Sequence, residues 1–235
     1  MATIGEINSL LDRADKLLVE LGAEYEKALN AKTISHEARN LTHEVIEKCT
    51  NALDQLMHHA WSTRVRPKLS EPPKRGGYFP AAKDEDSFRT SLGQWKALDL
   101  DTTDPTFARE LRAVQPFSDP QNNWLWELRD ISSKKHTMLI PQKRHEERRV
   151  TVSGVSGSVS WGPGVTFGGG VSLMGAPIDP RTQLPVATPG VATKVEMWVS
   201  FLFEGTDTNA LGFCTEAVSK TRALILKWAG ALSLP

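Results

Sequence analysis

The chain has 235 residues, with 28 basic side chains against 28 acidic ones, so it is long enough to bury a core and carries no net field that would draw nucleic acid or an anionic membrane. A composition of 40% hydrophobic and 24% charged residues excludes the disordered, collagen-like and disulfide-scaffold classes. Residues 150–235 hold 10 of the 56 charged side chains, which predicts that the last third of the chain is well buried.

Residues 4–28 carry a helical period. Ile4, Leu11, Leu18 and Tyr25 form one series and Ile7, Ala14, Leu21 and Ala28 its companion, a stripe suited to a coiled-coil-like seam. A short break at Asn30–Thr33 follows, with Thr33 or Ser35 as a cap for a second helix. The stripe resumes at Ala38, Leu41, Val45, Cys49, Ala52, Leu56 and Ala60 and stops near Arg66-Pro67. So short a connection predicts an antiparallel helical hairpin over 1–66. His36, His43, Glu47 and the pair His58-His59 fall on what reads as its solvated face, without the ligand set of a zinc site.

Prolines and glycines punctuate residues 67–83 as a loop, with Gly76-Gly77-Tyr78-Phe79-Pro80 expected to dock both aromatics on the hairpin. Short helices are expected at 84–92 and 105–114, the second opened by Asp104-Pro105. Trp124, Leu125, Leu128 and Ile131 then take helical spacing, with Trp124 and Leu128 as core anchors and Pro141 as the stop. From Arg149 the period becomes two: Val150 and Val152, then Val165 to Leu173, then Val195 to Phe203, each read as a strand. Residues 175–192 read as a long loop. A final helix is expected from Thr208 to Ala229, capped by Asp207 or Thr208.

Helices, then strands, then a helix describe an α+β fold. It has an N-terminal antiparallel hairpin, short middle helices, an antiparallel sheet and a C-terminal helix packed on that sheet. The hairpin covers 1–66, and 67–235 forms the α+β region, the two parts forming one domain or two. The longest uncharged run, Val150–Ile178, is broken by glycine and proline, so no membrane span is expected. Two cysteines in helical patterns, with no cysteine framework, suit free buried thiols in a cytoplasm. The glycine-rich piece 162–170 lacks the spacing of a nucleotide loop and is not followed by a helix pattern. No cofactor or metal is therefore expected.

The densest reactive cluster is Arg129, Asp130, Lys135 and His136, beside Trp124 and Trp126. Arg129 and His136 lie seven residues apart, and on one helix they would share a face. An arginine can clamp a phosphate and a histidine can move a proton near neutral pH. Arg129-Asp130-x(5)-His136 resembles the active-site motif of the HEPN superfamily of ribonucleases. That resemblance implies metal-independent RNA cleavage, with Arg129 on phosphate and His136 on the proton. The strand region at 149–204 departs from a HEPN domain.

Trp124-Leu125-Trp126-x-Leu128 followed by Lys135-His136 and Met138-Leu139-Ile140 resembles a group of bacterial proteins without an assigned activity. Tyr78-Phe79-Pro80 and Phe201-x-Phe203-Glu204-Gly205 fit the same group. Its Lys-His pair is usually flanked by Asp and Arg, where this chain has Lys134 and Thr137. This resemblance directs attention to Lys135 and His136 without implying how they act. Trp124, Trp126, Asp130 and Lys135 are the candidate binding residues. The reading preferred from sequence is a non-enzymatic interaction protein, with a protein partner or its own copy as ligand. The ribonuclease, with RNA as ligand, is the alternative.

Overall fold

The computed structural model describes residues 2–234 apart from 32, 74–75, 135–141, 163–164 and 205. The chain is α+β and divides into two units, residues 1–143 with 202–235, and residues 144–201.

The first unit is helical. α1 (Ile4–Ala31) and α2 (His36–Arg64) form the hairpin. Ser35 caps α2 by accepting the Ala38 N–H at 3.0 Å. The buried stripe of α1 runs through Ile7, Leu11, Ala14, Leu17, Leu21, Tyr25 and Ala28, while Ile4 and Leu18 sit at its edge. That displacement follows the true helical repeat of 3.6 residues, which drifts from a strict seven. α7 (Ala210–Ala231) packs against both helices of the hairpin. It buries Cys214, Ala217, Val218, Leu224, Ile225 and Trp228. Asn209 caps it by accepting the Gly212 N–H at 2.7 Å, not Asp207 or Thr208 as expected. A Cβ at position 212 would come within 3.3 Å of that same carboxamide oxygen.

Between hairpin and α7 run α3 (Glu85–Gln94), α4 (Leu100–Thr103), α5 (Pro105–Ala113) and α6 (Asn123–Lys134). Asp84 caps α3 and Asp104 caps α5. Asp104 is also a buried hub. It takes both forks of Arg64 at 2.9 Å, the Phe107 N–H at 3.0 Å and Lys68 at 3.5 Å. Burial raises its carboxyl, but Arg64, the Phe107 N–H and Lys68 outweigh burial and hold it below its ordinary value. Trp124 and Leu128 are buried as expected. Aromatic rings fill the space behind them: Trp228 meets Phe79 and Phe107 at 5.4 and 5.5 Å, and Trp61 meets Trp95 at 5.3 Å.

The second unit is built on strands. The first sheet has the order β2-β1-β6, from β1 (Gln142–Gly154), β2 (Gly157–Trp161) and β6 (Ala192–Phe203). β1 and β2 form a hairpin in which Val150 faces Trp161 and Val152 faces Val159. A second antiparallel sheet joins β3 (Ser172–Leu173), β4 (Ala176–Asp179) and β5 (Leu184–Pro185) in that order. Met174 and Gly175 turn β3 into β4 with φ of 51° and 85°, the pair of positive angles that a tight hairpin needs. Val150, Val152, Trp161, Ala176 and Ile178 make the unit's core.

Two strand expectations are corrected. Val165 to Gly170 is not a strand among the described residues; Gly169 and Gly170 form a turn, and regular pairing begins at Ser172. The expected loop 175–192 holds β4 and β5, whose alternation is hidden by Pro177 and Pro185. Within the first unit, Phe203 and Phe213 of α7 stand edge to face at 5.8 Å. No helix of the described residues is long and apolar enough to cross a membrane.

Candidate functional site

The sequence-predicted cluster divides at the end of α6. Arg129, Asp130, Trp124 and Trp126 lie on that helix, whereas Lys135 and His136 lie outside the described residues. The pairing of Arg129 with His136 on one helix face therefore concerns a segment outside the described residues.

Arg129 lines a hollow of about 440 Å³ in the helical unit, within the size range of small-molecule pockets. Three elements shape it. α2 supplies Thr50, Asn51 and Asp54; spacings of three and four set Thr50 and Asn51 on the face of Asp54. α6 supplies Arg129, Ser132 and Ser133, and the segment ahead of α3 supplies Tyr78, Phe79 and Ala81.

The centre of this hollow is an ion pair. Nη1 of Arg129 donates to Oδ2 of Asp54 at 3.2 Å, and Nη2 donates to Oδ1 in a shorter bond. Oδ1 also accepts the backbone N–H of Phe79 at 2.8 Å. The two side chains are 19% and 25% exposed, so the fork-to-fork geometry is largely withdrawn from water and stronger than a surface pair. Nε of Arg129 is buried with no hydrogen-bond partner among the described residues. The guanidinium carbon stands 5.7 Å from the Tyr78 ring.

Two of the hydroxyls around the pair are used internally. Thr50 donates to the carbonyls of Ile46 and Glu47, each at 3.1 Å, and Ser133 to that of Asp130 at 2.7 Å. An arginine whose charge is matched by a carboxylate offers little to a phosphate, which would have to displace Asp54 or sit beside it against repulsion.

Trp126 is half-buried under the ammonium of Lys83, 3.1 Å from the ring centroid. Lys220 stands 5.9 Å from the Trp124 ring. Phe79 docks into the core as expected, but Tyr78 is 73% exposed. The backbone direction explains the difference: Phe79 is pinned through its N–H to Asp54, which turns its neighbour outward. Gly76 and Gly77 lie so close to Trp95 and Gln94 that a Cβ at either would collide with them.

His59 was expected on a solvated face with His58. It is 4% exposed, and neither ring nitrogen has a partner among the described residues. The signal was present in the sequence, since His59 lies three residues after Leu56 and seven after Ala52, on the buried stripe. His58 lies between Trp61 and Trp95, its centroid 6.2 Å from each. Burial and the charge of Arg66 lower its pKa.

Several basic side chains are engaged within their own unit. Arg64 and Lys68 serve Asp104, and Arg148 donates to the Thr182 carbonyl at 3.1 Å. No group of three or more metal-ligating side chains occurs among the described residues. Cys49 and Cys214 are free and buried. Burial pushes the Cys49 thiol up to about 12, and burial with the nearby Cys49 pushes Cys214 up as well. Both stay protonated at neutral pH and are poor nucleophiles.

A second hollow of about 410 Å³ lies between α1 and α7, lined by Asp15, Leu18, Val218, Arg222 and Leu226 among others. Arg222 spans it to Asp12 and Asp15 at 3.0 and 2.7 Å.

Comparison with protein-family models, curated proteins and solved structures finds no match.

Proposed function

We propose that the protein acts by binding and not by catalysis, as an interaction protein that associates with its own copy or with another protein. The observation that carries this reading is the Arg129–Asp54 pair. An arginine that clamps a scissile phosphate needs its N–H fork directed at the substrate. Here both arms of the fork lie on a carboxylate that simultaneously holds the Phe79 backbone. That is the geometry of a strut between α2, α6 and the segment between them. The protonated thiols and the internally bonded hydroxyls of Thr50 and Ser133 support the same reading, since none of them is an activated nucleophile.

The place of action that fits is the cytoplasm of a bacterium. Two free buried thiols suit a reducing compartment, and the resemblance through Trp124, Trp126, Lys135 and His136 is to bacterial proteins. On this reading Trp124, Trp126 and Asp130 support the surface that α6 presents, and Lys135, outside the described residues, follows them in the chain.

The test is RNA cleavage in metal-free buffer, wild type beside His136→Ala. The binding reading expects the two proteins to be indistinguishable from a blank. Cleavage by the wild type that His136→Ala abolishes, with an unchanged circular dichroism spectrum, would establish the HEPN-type ribonuclease in its place.

A further inference from the structure

We propose that the open edge of β6 pairs with the same strand of a second copy, antiparallel and centred on Val195. This deepens the interaction reading by naming the partner and the surface.

In the order β2-β1-β6 both outer strands are edges among the described residues. β2 is five residues long, whereas β6 runs for twelve. A long edge presents a row of unpaired backbone donors and acceptors and is a template for another strand unless it is blunted. Proline, bulges and charged side chains, lysine above all, are common blunting devices; β6 contains no proline, and its one lysine is matched by a carboxylate on the same strand. Its charges are Lys194 and Glu196. These two share one face of the strand and form an ion pair at 2.7 Å, with Lys194 71% exposed. Val195, between them on the other face, is 45% exposed.

Geometry limits the registers open to such a pair. Every second residue of an edge strand turns its N–H and C=O outward. When a strand meets its own copy about a two-fold axis, only a residue can lie on the axis, because a centre between residues would set an outward-facing residue against an inward-facing one. Charge then selects among the residue-centred registers. Centring on Lys194 opposes two ammoniums, and centring on Glu196 opposes two carboxylates. Centring on Val195 sets Lys194 of each copy against Glu196 of the other, two reciprocal attractive cross-strand pairs. It also brings the two Val195 side chains together across the axis and pairs residues 192–198 of one copy with 198–192 of the other. Two salt bridges within single strands become an alternating group of four charges.

The register makes a demand that no other surface makes. The Lys194→Glu chain carries carboxylates at both positions, and the Glu196→Lys chain carries ammoniums at both. Each alone should self-associate about tenfold more weakly than the wild type or worse. An equimolar mixture of the two should associate as a heterodimer at least as well as the wild type. Independently, Val195→Cys should crosslink to its own copy under mild oxidation. Thr193→Cys should not, because in this register its copies stand about 13 Å apart along the strands. The two native cysteines are buried and leave the readout clean.

The measurement is sedimentation velocity of the full-length wild type, the two charge variants and their mixture, with the crosslinking run beside it. Recovery of the dimer in the mixture, with crosslinking at position 195 and not at 193, supports the proposal. A wild-type dimer whose charge variants dimerise equally well, or crosslinking equal at both positions, overturns the β6 register and leaves self-association through another surface. A wild type that is monomeric throughout overturns both the register and self-association.

Discussion

Asp54 makes three hydrogen bonds with one carboxylate, two to the fork of Arg129 and one to the Phe79 N–H. Removing one partner of a largely buried pair strands the other charge in a poor dielectric. Asp54→Ala should therefore cost about 3 kcal/mol in urea unfolding, whereas the joint replacement Asp54→Leu with Arg129→Met should cost much less. Equal losses in the single and the double variant would contradict a structural strut. The thiols give a pH signature. Folding holds the Cys49 proton from its ordinary 9.0 up to about 12, while the unfolded chain releases it above 9. Between those values the unfolded state binds fewer protons, so stability falls as pH rises, by at most about 1.4 kcal/mol per pH unit. Unfolding midpoints measured from pH 8 to 11 should slope less steeply in Cys49→Ala. An unchanged slope would show that other groups set the alkaline limit.

At the scale of elements, the helices follow from local pattern and the small strands do not. The hairpin was legible because Ile7 to Ala28 and Ala38 to Ala60 repeat at three and four, with Ser35 between them. β1 and β6 were legible in part from Val150, Val152 and the alternation up to Phe203. β4 and β5 were not, because a strand of two to four residues containing proline has no period to read. The sequence points to Asp207 or Thr208 as the cap of α7, although asparagine is a comparable cap former. What separates them is the turn before the helix, where Phe203 N–H bonds the Thr208 carbonyl at 3.0 Å and leaves Asn209 at the first position. Asn209→Ala should lower stability by about 1 kcal/mol in thermal unfolding, and Asp207→Ala should leave it nearly unchanged. The reverse order would mean that the turn is built differently.

Over the whole molecule, several ion pairs of the helical unit join residues far apart in the chain. Asp54 holds Arg129, Asp104 holds Arg64, Glu110 holds Lys227 at 2.9 Å, and Arg222 reaches Asp12 and Asp15. None of these partnerships was legible in sequence, since Asp54 and Arg129, or Asp15 and Arg222, meet only once the helices have packed. That is why Arg129 reads as a phosphate clamp from its neighbours along the chain and as a strut from its neighbours in space. On the proposed reading, the long strand left at the sheet edge is the surface through which the molecule associates. Sedimentation equilibrium of the full chain over a wide concentration range tests this most directly. A reversible equilibrium between monomer and dimer is expected, and a single monomeric species at every concentration would contradict self-association.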